Sequence, residues 1–160
     1  MSSQVLDVGC GDNPKGSVNC DLNIGQTLEG GDQKKGILIN PKEIRNFVRC
    51  DCHFLPFQTN SFESVVCSHV IEHIATPRKL LLELIRVAKH KLTVRCPHRF
   101  SRGAKFPFHI HFFNKSWFAK ALKHFNCKVK VNYETCPVFF VGVMRVSEIK
   151  VEVFLEDSFC

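Results

Sequence analysis

Gly9 and Gly11, separated by Cys10, close the apolar run at residues 4–8. A glycine after a strand lets the backbone approach a ligand closely, because no Cβ intervenes. Three ligand chemistries compete for such a loop. A dinucleotide fingerprint needs a third glycine and a helix whose N-terminus meets the pyrophosphate. Here the third position is Pro14, and only residues 12–16 separate this run from the next strand-like run. A phosphate-binding P-loop is excluded, since no Gly-Lys-Ser/Thr follows. Asp7 and Asp12 also crowd the glycines. A phosphate at 4 Å from such a carboxylate would be repelled by about 4 kcal/mol per unit charge pair near a surface.

A ligand that carries adenosine and positive charge fits this loop better. S-adenosylmethionine has a sulfonium, an α-ammonium and no phosphate. Asp21 ends the second apolar run, where a carboxylate can accept both ribose hydroxyls. Asp51 ends the third, where it can accept from the adenine amine. Asp7, Asp21 and Asp51 thus close three successive strand-like runs.

The elements that must position these residues follow from hydrophobic periodicity. Strands are expected at 4–8, 17–21, 47–50, 62–68, 91–96, 129–133 and 139–146, with 151–155 extending the last one or pairing with it. The short connection after Gly11 reduces the first helix to a turn. Residues 24–36, with four glycines, read as a loop, and Pro41 opens a short helix at 41–46. Leu80, Leu81, Leu84, Ile85 and Ala88 mark an amphipathic helix at 77–89, with Thr76 as N-cap and Pro77 in its first turn. Trp117, Phe118, Ala121 and Leu122 mark a second at 116–125. Strands alternating with helices predict one α/β domain over 1–160 with a mostly parallel sheet.

These motifs resemble the class I S-adenosylmethionine-dependent methyltransferases, in particular the type 11 group. The resemblance covers about residues 4–125. It rests on Val5-Leu6-Asp7-Val8-Gly9-Cys10-Gly11, Asn19-Cys20-Asp21-Leu22-Asn23, Arg49-Cys50-Asp51-Cys52 and Ser68-His69-Val70-Ile71-Glu72-His73, completed by 82–89. It implies a Rossmann-like three-layer sandwich with a seven-stranded sheet of order 3-2-1-4-5-7-6 and strand 7 antiparallel. It implies S-adenosylmethionine as cofactor, with Asp7, Gly9, Cys10 and Gly11 as the methionine-side loop and Asp21 and Leu22 at the ribose. Asp51 and Cys52 would frame the adenine, and Ser68 and His69 the floor beneath the methyl group. The chain departs from the family pattern at Asn13, where a third glycine usually stands, in its trimmed first helix, and at its short N-terminus. These departures are expected to leave the cofactor pocket open, to be closed by substrate, a homodimer partner or another chain. A non-catalytic cofactor-binding subunit is the alternative reading.

Methyl transfer needs positioning first and a base only for some acceptors. His69, His109 and His111 are the expected catalytic or substrate-positioning residues, the last two sharing a face if extended. His98 lies in the same irregular stretch, and Glu72 and His73 are expected to support the following helix. The Asn/Asp-Pro-Pro-Tyr/Phe sequence of amino-nitrogen methyltransferases is absent, and so is a Pro-Cys nucleophile. Cys50-x-Cys52-His53 and His109-x-His111 have ligand types but no zinc-like spacing, so no metal site is expected.

Charge is the guide to the acceptor. Residues 1–80 hold 8 Lys/Arg against 9 Asp/Glu, whereas 81–160 hold 14 against 6. Between Glu83 and Glu134 there are 12 basic residues and no acidic one, with Phe100, Phe106 and Phe108 interleaved among Arg95, Arg99, Arg102 and Lys105. Such a mixture suits RNA or an anionic small molecule. No run approaches the length of a membrane span, and no leader is expected before the first strand. Nine cysteines, several within apolar runs, read as reduced buried thiols, and a cytoplasmic location is expected.

Overall fold

Seven strands form one sheet in the order β3-β2-β1-β4-β5-β7-β6. They belong to a computed structural model that describes residues 4–22, 40–101, 103–105, 108–137 and 144–156. The strands are β1 (Val5–Val8), β2 (Val18–Asp21), β3 (Phe47–Arg49), β4 (Phe62–Ser68), β5 (Ala88–Pro97), β6 (Cys127–Pro137) and β7 (Met144–Leu155). Strands β1 to β5 pair in parallel. β7 runs antiparallel to both β5 and β6. This is the order and direction that the resemblance implies.

Helix α1 (Pro77–Val87) follows β4 and helix α2 (Lys115–Leu122) follows β5. Leu81 and Leu82 of α1 line one surface cleft with Ala121 of α2, so both helices cover the same sheet face. Right-handed crossovers require this, because β4, β5 and β6 step in one direction across the sheet. Leu80, Leu84, Phe118 and Leu122 pack there on Val65, Leu92, Val94 and Val151 as the main core. No α-helix occurs in the β1–β2 or β2–β3 connections among the described residues. The loop expected at 24–36 lies outside them.

Strands β1 and β2 are joined by residues 9–17 alone. Parallel neighbours ordinarily need a crossover of about a dozen residues or more. Polar side chains close this shorter return. Asp7, only 4% exposed, accepts from the Lys15 backbone N–H at 2.8 Å. Asn19, 1% exposed, accepts from Gly16 N at 2.8 Å and donates to the carbonyls of Gly16 and Arg45. Ser17 Oγ accepts from Val5 N and donates to Val5 O. Gly16 has backbone on every side: a Cβ there would overlap the Val18 carbonyl and lie 2.9 Å from Asp7 N and Val5 O.

Several boundaries differ from expectation for local reasons. The segment at 41–46 is only the 3-10 turn Pro41–Glu43, capped by Asn40. Helix α1 stops at Val87, because Ala88 already pairs with Phe62 as the start of β5. Thr76 flanks α1 but its side chain makes no cap bond. Helix α2 begins at Lys115, where the Asn114 side chain caps Trp117 N at 2.9 Å. Residues 144–155 form one continuous strand, so 151–155 is an extension and not a separate hairpin arm. Residues 139–143 of the expected 139–146 strand lie outside the described residues.

Helix α1 also holds the loop after β3. Glu83 Oε2 accepts from Leu55 N at 2.9 Å, while Arg86 donates to Leu55 O, Phe57 O and both Glu83 oxygens. The Arg86 guanidinium holds the Glu83 carboxyl below its ordinary value of 4.5.

Two stability measurements check these constraints. Gly16→Ala is expected to cost at least about 2 kcal/mol in urea unfolding, since backbone must shift to admit the methyl. Gly103→Ala, whose Cβ would meet Pro97 no closer than 3.6 Å, should stay within about 0.5 kcal/mol. Glu83→Gln should cost about 2 kcal/mol at neutral pH. The depressed Glu83 stabilises the fold fully above its unfolded value and ceases to do so as pH falls through the lower folded value. The difference in melting between wild type and Glu83→Gln should therefore shrink below about pH 4.

Candidate cofactor and acceptor site

The strand order reverses between β1 and β4, and open α/β sheets bind ligands outside the strand C-termini at such a point. Gly9 and Gly11 both turn through positive φ there, at +71° and +51°. Gly9 N and Cys10 N converge on the Cys20 carbonyl at 2.8 and 3.1 Å. A Cβ on Gly9 would overlap Val70, whose side chain packs onto the glycine from the segment after β4. A Cβ on Gly11 would meet nothing within 4 Å, so this residue faces open space. Its N–H donates to Asp21 Oδ2 at 3.1 Å. Asn13, standing where a third glycine usually does, closes a turn through its N–H on the Cys10 carbonyl.

The predicted cofactor residues divide into two groups by burial. Asp21 is half-buried and Leu22 is 49% exposed, both beside the open side of Gly11. Asp7 is instead buried within the turn, its carboxyl pushed up by desolvation against the opposing Lys15 N–H. It shapes the loop from within. The Cys10 side chain packs on Ile44, and burial raises its thiol to about 12. Asp51 accepts from both the backbone N–H and Nδ1 of His53 at 2.8 Å, which holds its carboxyl low. Cys52 is half-buried against the core. The seven cysteines whose side chains are described are free thiols.

Across the crevice, Ser68 ends β4 opposite Arg95 of β5. His69 follows in the left-handed region at φ 57°, its N–H donating to the Arg95 carbonyl. Its Nδ1 lies 3.4 Å from Glu72 and its Nε2 3.3 Å from Glu148 of β7. The Glu72 carboxylate, helped by Glu148, pushes the His69 imidazole pKa up. Glu72 sits in the 3-10 turn Ile71–His73, which precedes α1 as a distinct element. It is 1% exposed, and neither carboxylate oxygen has a hydrogen-bond donor.

The irregular stretch after β5 folds back onto this turn. Ile110 N and His111 N both donate to the Glu72 carbonyl, at 3.0 and 3.3 Å. His73 Nδ1 meets the Phe108 carbonyl at 3.2 Å, and the His73 and His109 rings are 4.6 Å apart. His109 and His111 are half-buried on either side of exposed Ile110, the alternation expected of an extended segment. His98 stands apart, packed edge-on against Phe100 and Tyr133, and burial lowers its pKa. Sequence reasoning missed Glu148 and the burial of Glu72. One acid within Val70-Ile71-Glu72-His73-Ile74 was a signal for the second. Nothing local signals the first.

The basic half is less free than its composition suggests. Arg95 pairs with Glu134 at 2.7 Å, Lys91 with Glu152 at 2.7 Å and Lys128 with Glu156 at 3.0 Å. Acids from the last 27 residues thus return to neutralise the middle of the chain. Arg99 remains exposed beside Phe100, 4.8 Å from its ring. Arg102 and Phe106 lie outside the described residues. No helix among the described residues is long and apolar enough to cross a membrane.

Comparison with known proteins agrees with this geometry. A family model described as a methyltransferase domain matches residues 6–92. No curated protein matches the chain. Among solved structures, an S-adenosylmethionine-dependent methyltransferase from Thermotoga maritima superposes with a TM-score of 0.69 at 14% identity, over 98% of this chain and 84% of its own. Magnesium protoporphyrin IX methyltransferase from Synechocystis, solved with bound SAH, gives 0.63 at 15% identity, over 96% and 74%. The complex between the Haloferax volcanii Trm112 methyltransferase activator and its proposed methyltransferase gives 0.64 at 11%, over 100% and 85%. With the matched model spanning more than half of its length and the sheet in the order that the family requires, the chain belongs to the methyltransferase-domain family, as a class I, type 11-like member.

Proposed function

We propose that the chain is an active methyltransferase that takes its methyl group from S-adenosylmethionine. The observation that carries this reading is Gly11, held at positive φ with open space before it and its N–H on Asp21. The cofactor's methionine end would lie along Gly9, Cys10 and Gly11, with Asp7 holding that loop in shape. Asp21 and Leu22 would take the ribose, and Asp51 and Cys52 the adenine. A neighbour in this fold binds SAH, the demethylated form of such a cofactor.

Transfer is an in-line displacement. A lone pair of the acceptor forms a bond to the methyl carbon while the carbon–sulfur bond breaks and its electron pair returns to sulfur. Ser68 and His69 would form the floor at the reacting centre. Where the acceptor is a hydroxyl, His69 would take its proton at Nε2 in place of the Glu148 contact, with Glu72 orienting the ring through Nδ1–H. His109 and His111 line the same side. Arg99 and Lys105, exposed near that rim, favour an anionic acceptor such as RNA or an acidic small molecule. Buried free thiols at Cys10, Cys20, Cys67 and Cys96 suit a reducing compartment, the cytoplasm.

A second reading is a subunit that needs a partner chain. Exposed Leu22 and Phe54 beside the cofactor loops favour it, together with a structural neighbour that works with an activator.

Calorimetry on the isolated chain should show S-adenosylmethionine binding, weakened at least about tenfold in Asp21→Ala. Absence of heat in the wild type would sink the reading for the chain alone. Incubation with labelled cofactor and fractionated extract should place label in one acceptor class. His69→Asn should then cut turnover by about 10²–10⁴, the usual range for a lost acid–base group, with cofactor affinity unchanged.

A further inference from the structure

Three candidate ligands from two separate segments meet on the acceptor side of the crevice. One ligand atom each from Glu72, His73 and His109 lies within 4.8 Å of the others. The 3-10 turn after β4 supplies the first two, and the stretch after β5 supplies the third. The two segments are fixed together by the bonds from Ile110 N and His111 N to the Glu72 carbonyl.

Glu72 makes this more than a gathering of polar groups. Its carboxylate is 99% buried with no hydrogen-bond donor on either oxygen. A buried carboxylate in that condition is costly unless positive charge compensates it. The ion pair it makes, with His69 Nδ1, is long at 3.4 Å. His73 is also prepared in its tautomer. The Phe108 carbonyl can only accept, so Nδ1 must carry the proton in that contact and Nε2 keeps its lone pair. A backbone carbonyl on the second ring nitrogen is the usual partner of a metal-binding histidine.

We propose that Glu72, His73 and His109 bind a first-row divalent cation. Two imidazoles and one carboxylate suit ions from manganese to zinc better than calcium, which takes oxygen ligands throughout. Three protein ligands leave coordination positions open, the pattern of a site that handles substrate rather than one that only staples a fold. Val70, which packs onto Gly9, lies two residues before Glu72, so the segment that carries two of the ligands adjoins the cofactor loop. There the cation would hold an oxygen of the methyl acceptor. That role rests on the methyltransferase reading, whereas binding of the cation does not. Local spacing could not reveal this site, because His109 enters 36 residues after His73.

The test is titration of the chelator-treated full chain with cobalt(II), followed by visible absorption. One saturable equivalent is expected. His73→Asn and His109→Asn should each weaken it at least about tenfold, the lower end of what even indirect partners of metal sites cost. His73 is exposed, so its replacement should leave the far-UV circular dichroism unchanged. His53→Asn, in the Asp51-Cys52-His53 group whose carboxylate and imidazole already bond each other, should leave cobalt binding intact. No absorption band overturns the proposal, as does a band untouched by both ligand variants or one lost in His53→Asn. Cofactor calorimetry on the same preparation keeps the two readings apart. Cobalt binding without cofactor binding sinks only the methyltransferase reading, and the converse sinks only the metal site.

Discussion

The return from β1 to β2 is the constraint on which the cofactor side depends. Residues 9–17 must reverse the chain in a space that ordinarily holds a helix. A full helix would satisfy its own backbone groups, but a tight return cannot. Asp7, Asn19 and Ser17 therefore supply the missing partners from inside the sheet. With those bonds in place, Gly9 and Cys10 can turn their N–H groups onto one carbonyl of β2. That pins the glycine loop to the strand that carries Asp21. A buried carboxylate at Asp7 would be expensive alone; the Lys15 N–H and the shape it imposes are what it is kept for.

The acceptor side is built on a different principle. There the chain after β5 lies across the turn after β4 and donates two backbone hydrogen bonds to Glu72. This docking buries the Glu72 carboxylate and brings imidazoles to it from two segments. β7, antiparallel beside β5, adds Glu148 on the far side of His69. His69 is held between two carboxylates by elements that are remote in sequence.

The same antiparallel strand alters the electrostatics. Lys91 and Arg95 on β5 reach diagonally to Glu152 and Glu148 of β7, two positions from their register partners Phe154 and Lys150, and β6 adds Glu134. Opposite charges on adjacent strands are the favourable cross-strand arrangement. The positive stretch that composition marks as one field is thus split. Its strand part is neutralised within the sheet, and its loop part, with Arg99 and Lys105, stays exposed.

The alternation of apolar runs with turn residues was enough to determine the α/β class, most strand positions and the acids at the ends of β1, β2 and β3. These are short-range properties, since a strand's burial pattern and its terminal polar residue are written within a few positions. Gly9 and Gly11 were legible for the same reason: no other residue accepts positive φ as easily. What tertiary structure alone decided is which of those acids face a ligand. Asp7 and Asp21 look equivalent in sequence, yet one is buried in the return and the other borders open space. It also decided the grouping of His69, Glu72, His73 and His109 and the pairing of late acids with earlier bases. Each of these is a contact between residues far apart in the chain, made by sheet order and by the fold-back after β5, and no local pattern records it.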